Sequence, residues 1–496
     1  MNDPFFASTR KRKRANGVKN KKPNDNPRSQ PKRAQKDEEI SGDENESDVG
    51  DLDVEASEPE SSEEEIEETA AEKRVRLAKA YLDKIQDDLD ESYAEGFDAA
   101  DLDRDIISER LKQDVDEQEG RLHRRVADKF DYEAAAKTIR RTSRAHKASV
   151  NAVAFTEDGK YLYTASADCS IIKWDLETLR KLHVFKGGRR GVTDFAGHTD
   201  HILCLAVSSD GKYLASGGKD KLIHIWSVAE NKLLGTFKQH RDAISSLAFR
   251  KGHNQLYSGS FDRTVKVWSV DELAYVETLF GHQDHITQLD TLGRERCVST
   301  GGRDKTSRLW KIVEESQLVF RGGARSKSKG PDDKPLYVEG SLDCIAQVEE
   351  STFITGGDSG VIAMWDIGRK KPTFTFSEAH GVSTTETIMG EINQPYWITA
   401  LASLRYSDVF ASGSWDGTVR LWKIAGDNKS FAPLAEFEVE GVVNSLQFKT
   451  TSDNRTFLVI GVGQELRNGR WLSLKKIRNE AKIIELTTIS KNQTTA

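Results

Sequence analysis

The sequence predicts an all-β fold in which four-stranded blades repeat around a ring, a β-propeller. Tryptophans end matching segments, and Trp226, Trp268 and Trp310 follow one another at intervals of 42 residues. That interval falls within the roughly 40–45 residues of a propeller blade. Between these segments, short runs rich in Val, Ile, Leu, Phe and Ser alternate with turns such as Glu157-Asp158-Gly159-Lys160. Asp-Gly between apolar runs favours a hairpin, so the residues from about 137 to 490 read as repeated antiparallel strands.

The repeated unit also carries polar residues at fixed distances from its tryptophan. A histidine stands 28 positions before the first four tryptophans, a Ser or Thr stands ten before all six, and an aspartate stands six before in five of them. A buried aspartate is costly unless its oxygens accept hydrogen bonds. A loop histidine, a strand hydroxyl and an indole N–H can complete such a chain and tie loops to strands.

This pattern resembles the WD-repeat family, in whose blades His, Ser or Thr, Asp and Trp form a buried hydrogen-bond chain. The resemblance implies a seven-bladed WD40 β-propeller with five such tetrads. The expected tetrads are His146, Thr164, Asp168 and Trp174; His198, Ser216, Asp220 and Trp226; His240, Ser258, Asp262 and Trp268; His282, Thr300, Asp304 and Trp310; and His380, Ser412, Asp416 and Trp422.

Two units depart from the pattern. The fifth has Ser359 in the aspartate position and no matching histidine, so we expect its tetrad to be missing. The seventh lacks the motif, but Val442–Phe448, Phe457–Val462 and Arg470–Leu474 have the character of strands. We expect these to form the closing blade, with a last strand from Lys137–Ser143 or Ile483–Thr487. Closure of the ring would remove exposed strand edges.

The polar repeat invites comparison with a Ser-His-Asp catalytic triad. Near-copies in five units argue against that interpretation, because an enzyme needs one activated nucleophile, so we expect no catalytic residues and no enzyme. The four cysteines are scattered and form no C-x-x-C pair, which favours single thiols over a disulfide framework or a zinc site. No metal or cofactor is expected.

The N-terminal part, residues 1–72, predicts a disordered charged tail. From Arg10 to Lys36 there are 12 Lys or Arg and one acid, and from Asp37 to Glu72 there are 18 acids and no base. Like charges with few apolar residues do not collapse into a core. A split basic cluster is typical of a nuclear import signal, although a solvated tail is the alternative. Its residues are Lys11, Arg12, Lys13, Arg14, Lys32 and Arg33. We find neither an apolar run long enough for a membrane helix nor a secretory signal.

Residues 73–136 predict a helical extension. The first four apolar residues recur at spacings of four, three and four, and a second run keeps a similar stripe, which is typical of an amphipathic helix. The stripe packs either on the propeller of the same chain or on a partner, and both interpretations stay open. Its members are Ala78, Leu82, Ile85, Leu89, Leu102, Ile106, Leu111, Val115, Leu122, Val126 and Phe130.

Basic insertions identify a candidate RNA-binding face. In WD-repeat propellers the loop before each first strand and the turn between the second and third strands share one face, and two long basic loops here are of the first kind. Such a rim would contact phosphates without reading sequence, whereas the alternative is an ordinary solvated loop surface. The candidates are Arg189, Arg190, Arg303, Lys305, Arg321, Arg325, Lys327 and Lys329.

The flanks of the propeller narrow the resemblance. They comprise the basic-then-acidic tail, the segment Glu119–Ala127 and the terminal stretch Gly463–Asn479. With Ser414-Trp415-Asp416-Gly417 they resemble the WD-repeat proteins of the U3 small nucleolar ribonucleoprotein over roughly residues 73–490. The resemblance implies a scaffold in the nucleus and nucleolus that acts in pre-rRNA processing and small-subunit biogenesis. The partners it implies are U3 small nucleolar RNA at its box B/C region, a small kink-turn-binding protein, the box C/D core proteins and other small-subunit processome proteins, with no membrane and no small-molecule substrate.

A nuclear protein-interaction module, such as a chromatin-binding propeller or a ubiquitin-ligase adaptor, is the alternative. Ligase receptors of this kind usually carry Trp-Asp-x-Arg at the end of a blade. Trp174-Asp175-Leu176-Glu177 and Trp365-Asp366-Ile367-Gly368 both lack that arginine.

Overall fold

The computed structural model describes residues 112, 115, 116, 123–143, 145–189, 191–192, 195–321, 340–387, 390–451 and 455–488. The predicted tail, with its import cluster Lys11, Arg12, Lys13, Arg14, Lys32 and Arg33, lies outside the described residues. So do the stripe residues Ala78, Leu82, Ile85, Leu89, Leu102, Ile106, Leu111 and Leu122. No helix in the described ranges has the length and apolar character that crossing a membrane requires.

Seven four-stranded antiparallel sheets occur in the described part of the chain, and they confirm the seven-bladed propeller. The first strand, β1 (Arg140–Arg141), belongs to the last blade. Blade 1 is β2 (Val150–Phe155), β3 (Tyr161–Ser166), β4 (Ile171–Asp175) and β5 (Lys181–Phe185), and blade 2 is β6 (Ile202–Val207), β7 (Tyr213–Gly218), β8 (Ile223–Ser227) and β9 (Leu233–Phe237). Blade 3 is β10 (Ile244–Phe249), β11 (Gln255–Ser260), β12 (Thr264–Ser269) and β13 (Ala274–Phe280), and blade 4 is β14 (Ile286–Thr291), β15 (Arg296–Gly301), β16 (Thr306–Lys311) and β17 (Ser316–Arg321).

The remaining blades carry two additional hairpins. Blade 5 is β18 (Leu342–Gln347), β19 (Thr352–Gly357), β20 (Ile362–Asp366) and β21 (Phe374–Phe376). The hairpin β22 (Val382–Thr387) and β23 (Gly390–Pro395) precedes blade 6, which is β24 (Ala400–Ser403), β25 (Val409–Gly413), β26 (Thr418–Ile424) and β27 (Phe431–Glu438). Blade 7 contains β28 (Val442–Thr450), β29 (Thr456–Gly463) and β32 (Glu480–Leu486), with the short hairpin β30 (Glu465–Leu466) and β31 (Gly469–Ser473) inserted before β32.

Blade 7 closes the ring with strands from both ends of the propeller. Its order is β28-β29-β32-β1, and Arg140 and Arg141 pair with Ile483 and Lys482. The expected last strand therefore comes from Lys137–Ser143, while Ile483–Thr487 overlaps the third strand. The assignment of Arg470–Leu474 to the blade was wrong: Gly469–Ser473 pairs instead with Glu465–Leu466. Both faces of a blade strand are covered, and Glu480–Leu486 is buried along almost its whole length. Trp471 in the Gly469–Ser473 strand is 64% exposed, so this strand is not part of the blade.

The apolar core lies between neighbouring blades. Trp226 and Leu214 of blade 2, for example, belong to one buried cluster with Ala154 and Tyr163 of blade 1. The inner strands contact each other around the ring, and β2 touches both β6 and β28. Each sheet therefore buries both faces against its neighbours, which explains why the strands are apolar without strict alternation.

A β-bulge near the start of most inner strands adds hydrogen bonds between blades. In blade 1 the pairing shifts between Val150 and Ala152, leaving Asn151 as the extra residue. Its Nδ2 donates to the carbonyl of Ile202 in blade 2 (2.7 Å). In the same way Thr287 Oγ1 donates to Leu342 O in blade 5 (2.8 Å). Bulges often re-aim a side chain in this manner, and here they connect successive blades at the central channel.

The described end of the helical extension packs on the propeller. It contains a 3-10 turn (Ala127–Lys129) and one short helix, α1 (Tyr132–Lys137), which Asp131 caps by accepting from Ala134 N (3.0 Å). Phe130 is buried in the core of blades 6 and 7, and Val126 packs against it. For these two residues the stripe contacts the same chain. Val115 is half exposed, so for the rest of the stripe both interpretations remain open.

Candidate nucleic-acid interface

The predicted tetrads hold together the loops of one propeller face. In blade 2, His198 Nδ1 lies 2.7 Å from Asp220 Oδ2 and His198 Nε2 lies 2.7 Å from Ser216 Oγ. Trp226 Nε1 donates to the same Ser216 Oγ (2.9 Å). Since the histidine is on the loop before the first strand and the aspartate is on the turn between the second and third, the chain of bonds fixes both. We call the side of the ring on which these loops lie the tetrad face.

Blades 1, 3 and 6 confirm the same arrangement. In blade 3 His240 lies 2.8 Å from Asp262 and 2.7 Å from Ser258, to which Trp268 Nε1 donates (2.8 Å). Blade 6 keeps the tetrad despite its longer loop, and the extra residues form the β22–β23 hairpin. Blade 1 is looser, since His146 Nδ1 is 3.5 Å from Asp168. The remaining bonds are His146 to Thr164 (2.7 Å), Trp174 to Thr164 (2.8 Å), and His380 to Asp416, His380 to Ser412 and Trp422 to Ser412 (each 2.8 Å).

In blade 4 the assignment of Thr300 to the tetrad was wrong. His282 Nε2 and Trp310 Nε1 both lie 2.8 Å from Ser299 Oγ. Ser299 pairs with Arg308, nine residues later, whereas the tetrad hydroxyls of blade 3 and of the other tetrad blades pair with a residue eight positions later. Counting back from Asp304 by the usual spacing therefore selects the wrong hydroxyl. Thr300 instead pairs with Ser307 and lies 2.9 Å from Thr287 Oγ1.

Blade 5 lacks a described histidine at the tetrad position, as expected. Trp365 Nε1 still donates to Thr355 Oγ1 (2.8 Å). Asp358, one residue before Ser359, approaches the loop preceding the blade, and its backbone N–H donates to Ser341 O (3.3 Å). The blade therefore keeps the bond from its tryptophan but holds its loop by other contacts.

The tetrads use the carboxylates as hydrogen-bond acceptors. Burial alone would raise the pKa of Asp262, but hydrogen bonds from His240, Thr264 and the backbone of Arg241 outweigh it and hold that pKa well below its usual range. The pKa of Asp220 and that of Asp416 are lowered in the same way by their histidines. Aspartates that stay ionised and fully bonded have a structural role.

Hydrogen bonds connect loops and turns of the tetrad face in two blades. Lys219 N, on the turn of blade 2, donates to His201 O on the loop before that blade (2.8 Å). Arg303 N donates to Asp284 Oδ2 (2.9 Å) in blade 4. In these two blades the loop before the first strand therefore lies beside the turn between the second and third strands.

The structure describes four of the eight candidate RNA-binding residues. Arg189, Arg303 and Arg321 are exposed and Lys305 is half-buried, and they lie along the part of the tetrad face from blade 1 to blade 4. Exposed Lys221 and Arg263 on the turns of blades 2 and 3 lie between them. Arg190, Arg325, Lys327 and Lys329 lie outside the described residues. Acids such as Asp242 and Asp284 interrupt this basic arc, so it is of mixed charge.

The sequence did not predict the hairpin that blade 7 carries on the tetrad face. The β30–β31 hairpin folds over the central channel, and Arg467 Nη2 donates to Thr287 O across the ring in blade 4 (3.2 Å). The backbone N–H of Arg467 donates to Asn444 Oδ1 (3.0 Å). Burial lowers the pKa of this guanidinium. A side chain from blade 7 thus spans the channel and holds the hairpin in place.

Aromatic rings surround this hairpin. The ring of Trp471 lies over Gly469 so closely that a Cβ there would be 1.6 Å from Trp471 Cζ3. Its centroid is 6.1 Å from that of Trp397, and the centroids of Tyr396 and Trp415 are 4.5 Å apart. An exposed tryptophan beside further rings offers a surface on which nucleobases can stack.

A cleft of mixed charge adjoins these rings. It measures about 630 Å³, and its lining includes Trp415, the basic residues Arg141, Lys476, Arg478 and Lys482, and the acidic residues Asp416, Glu440 and Glu480. Lys475, Lys476 and Arg478 are exposed. We call Trp397, Trp415, Trp471, Lys476 and Arg478 the aromatic–basic surface. The sequence does contain a signal for this surface. Trp471 lies outside the tryptophan repeat, and the basic stretch Lys475-Lys476-x-Arg478 follows it.

Comparison with known proteins places the chain in a family. The profile of the WD domain, G-beta repeat, matches residues 137–175, 189–227, 231–269, 274–311 and 387–423, which cover the three inner strands of blades 1, 2, 3, 4 and 6. The U3 small nucleolar RNA-interacting protein 2 of Mus musculus is 47% identical over 84% of this chain and 82% of its own length. The chain belongs to this U3 small nucleolar RNA-interacting WD-repeat family.

Two further members extend the likeness. Ribosomal RNA-processing protein 9 of Saccharomyces cerevisiae is 32% identical over 81% of this chain and 86% of its own length. A solved structure described as the structure of U3-55K is 46% identical, with a TM-score of 0.62 over 70% of this chain and 98% of that one. These likenesses extend over most of the chain.

Proposed function

We propose that this protein is a U3 small nucleolar RNA-associated scaffold in pre-rRNA processing and small ribosomal subunit biogenesis. One observation carries the proposal: the 47% identity, over 84% of the chain, to a protein whose name describes it as interacting with U3 small nucleolar RNA. The name of the yeast relative adds ribosomal RNA processing. Fold likeness alone would be a weaker argument, because propellers serve many functions.

A non-catalytic role agrees with the use of the polar residues. The Ser, His and Asp groups that resemble a triad are buried in tetrads, and each hydroxyl accepts from a tryptophan indole. In blade 2 the side chains of His198 and Asp220 are only 1% and 4% exposed, so a substrate cannot reach them. The RNA would therefore supply the base-pairing specificity, and the protein would supply architecture.

The tetrad face is the surface that we propose for RNA. The aromatic–basic surface offers a 64%-exposed indole for an unpaired base, with Lys476 and Arg478 for the adjacent phosphates. The basic arc from Arg189 to Arg321 would contact further phosphates as positioning contacts. Stacking on an aromatic side chain contributes about 1–3 kcal/mol per base, so the aromatic–basic surface should contribute more per residue than the arc.

We also propose finer partners, for which family membership is the support. They are the box B/C region of U3 small nucleolar RNA, a small kink-turn-binding protein, the box C/D core proteins and other small-subunit processome proteins. The corresponding location is the nucleus and nucleolus, which the names of the U3 and rRNA-processing relatives support. The relevant first measurement is sequencing of the RNA that co-purifies with the full chain. One dominant small nucleolar RNA is expected, whereas histones or ligase subunits without RNA would contradict the proposal.

Affinity measurements would locate the contact. We expect Trp471→Ala to weaken binding to box B/C RNA, with the kink-turn-binding protein present, by about 5- to 100-fold, which corresponds to 1–3 kcal/mol. Combined Lys476→Glu and Arg478→Glu should also reduce the dependence of affinity on salt.

The matched control is Lys370→Glu with Lys371→Glu, because these exposed lysines lie on the turn between β20 and β21, on the opposite side of the ring. Unchanged affinity is expected for this control. Equal losses in the control and test variants would show that charge alone, and not this surface, determines binding.

A further inference from the structure

We infer that His198, Asp220 and His224 form a binding site for one divalent transition-metal ion, with zinc as the chemically best-suited occupant. Each residue offers one ligand atom, and these atoms lie within 4.8 Å of one another. The sequence did not predict this site, because His224 lies outside the tetrad pattern and only pairing of the strands brings it beside His198.

The clearest sign is a nitrogen that the protein leaves without a partner. His224 is 2% exposed, and its Nε2 has no hydrogen-bond partner of normal geometry, although the backbone of Gly197 makes a weak hydrogen bond with the ring. Its Nδ1 lies 2.9 Å from Thr236 Oγ1, which orients the ring. A buried polar atom without a good partner destabilises the folded state. Coordination to a metal would remove that destabilisation.

The two imidazole rings of the site lie against each other. The centroids of the His198 and His224 rings are 4.4 Å apart, with the ring planes at 78°. Neutral imidazoles and ionised carboxylates are the forms in which these side chains bind a metal.

Metal binding can leave the number of protons at the site unchanged, because the proton of His198 can move from Nδ1 to Nε2. The metal would take the place of the proton between His198 Nδ1 and Asp220 Oδ2, which are now 2.7 Å apart. The neutral His198 would then carry its proton on Nε2 and donate to Ser216 Oγ. The Ser216 hydroxyl would turn to the carbonyl of His224, 3.5 Å away. Zinc-bound histidines usually donate their second N–H in this way.

Two imidazoles and a carboxylate suit zinc, which accepts mixed N and O ligands and often binds three protein ligands with one position left for water. Ligands at zinc are about 3.3 Å apart in a tetrahedron with bonds of about 2.0 Å. The pair at 2.7 Å must therefore separate by about half an ångström. Occupancy would fix His198, and with it the loop that carries Arg189.

Other blades show why blade 2 differs. The residue two before the tryptophan is Lys266 in blade 3, Arg308 in blade 4 and Arg420 in blade 6. Lys266 Nζ donates to Thr278 Oγ1 (2.6 Å), just as His224 faces Thr236. A cation at this position repels a metal, whereas an imidazole binds it. Replacing His224 by lysine, the residue of blade 3, should therefore remove the metal site of blade 2. Replacing Lys266 by histidine should create a metal site in blade 3.

The test counts zinc equivalents bound by the full chain. Bound metal is first removed from the protein by dialysis against EDTA. The protein is then titrated with ZnCl₂ in competition with a chromophoric chelator, which outcompetes weak zinc sites on exposed histidines and on the acidic tail. Wild type should bind one equivalent, His224→Lys none and Lys266→His two. Titration with CoCl₂ should give a tetrahedral absorption band in wild type that is missing in His224→Lys.

Two results would overturn the inference. One is the same number of tight equivalents in wild type and His224→Lys, and the other is a single equivalent in a folded Lys266→His variant. Both variants leave the tetrad residues in place, and near-UV circular dichroism of the metal-free proteins verifies their fold. The outcome is independent of RNA binding, so the proposed function and the metal site can fail separately.

Discussion

The hydroxyl of the blade 4 tetrad can be identified by mutation. Ser299 is fully buried, and its Oγ lies 2.8 Å from both His282 Nε2 and Trp310 Nε1. Ser299→Ala leaves both buried groups without this partner, and each such loss costs about 1–3 kcal/mol. We expect the free energy of unfolding to fall by about 3 kcal/mol in total.

Thr300→Val is the matched comparison at the neighbouring position. It removes bonds from Thr300 Oγ1 to Gln288 O (3.1 Å) and to Thr287 Oγ1 (2.9 Å). Thr287 still donates to Leu342 O, so few groups lose their last partner. The expected cost is about 1 kcal/mol or less. Ser258→Ala in blade 3 should match Ser299→Ala, because Ser258 holds His240 and Trp268 at the same distances within 0.1 Å.

Equilibrium urea unfolding, followed by far-UV circular dichroism, measures these differences. With an m-value of about 3 kcal/mol/M, Ser299→Ala should lower the midpoint by about 1 M and Thr300→Val by about 0.3 M or less. A Thr300→Val variant that loses as much stability as Ser299→Ala, or more, would refute the placement of Ser299 in the tetrad.

Two further predictions concern stability and the extension. Burial first, and repulsion from Asp358 second, raise the pKa of Asp343 to about 6. The folded state therefore binds more protons than the unfolded state between about pH 4 and 6, and this contribution to stability is lost as pH rises through that window. Asp343→Asn should raise the melting temperature by roughly 2–4 °C at pH 7 and by less at pH 5, and an equal rise at both would contradict the assignment. Asp408 Oδ1 accepts from Val126 N (2.8 Å) and Ala127 N (3.1 Å), so Asp408→Ala should release this segment and speed tryptic cleavage after Arg125 several-fold, as read by mass spectrometry. Asp427→Ala, at an exposed turn of the same blade, is the control, and an unchanged cleavage rate in Asp408→Ala would show that other contacts hold the segment.

The tetrads show which residue positions can be predicted from sequence spacing alone. Four tetrads were correct because in those blades the tetrad hydroxyl pairs with a residue eight positions later. Blade 4 failed at one position because its hydroxyl pairs with a residue nine positions later, although the distance from Asp304 to Trp310 is unchanged. Only the pairing of Ser299 with Arg308 shows which hydroxyl faces the indole.

The candidate interface was predicted less completely. The sequence identified the basic loops and the face they share, because charge and loop length are local properties. It did not identify Trp471 as exposed, since a tryptophan near a strand-like run reads equally well as core. Its exposure follows from the β30–β31 hairpin, which Arg467 anchors through a contact 180 residues away in sequence.

The sequence by itself determined the all-β repeat, the number of blades and the complete tetrads of blades 1, 2, 3 and 6, because these follow from short-range spacing and from the need of buried polar groups for partners. Only the tertiary structure decided which strands close the ring, which side chain crosses its channel, and that His224 lies against His198 and Asp220. Those juxtapositions depend on strand register and on contacts between distant segments, and neither has a local signature in the chain.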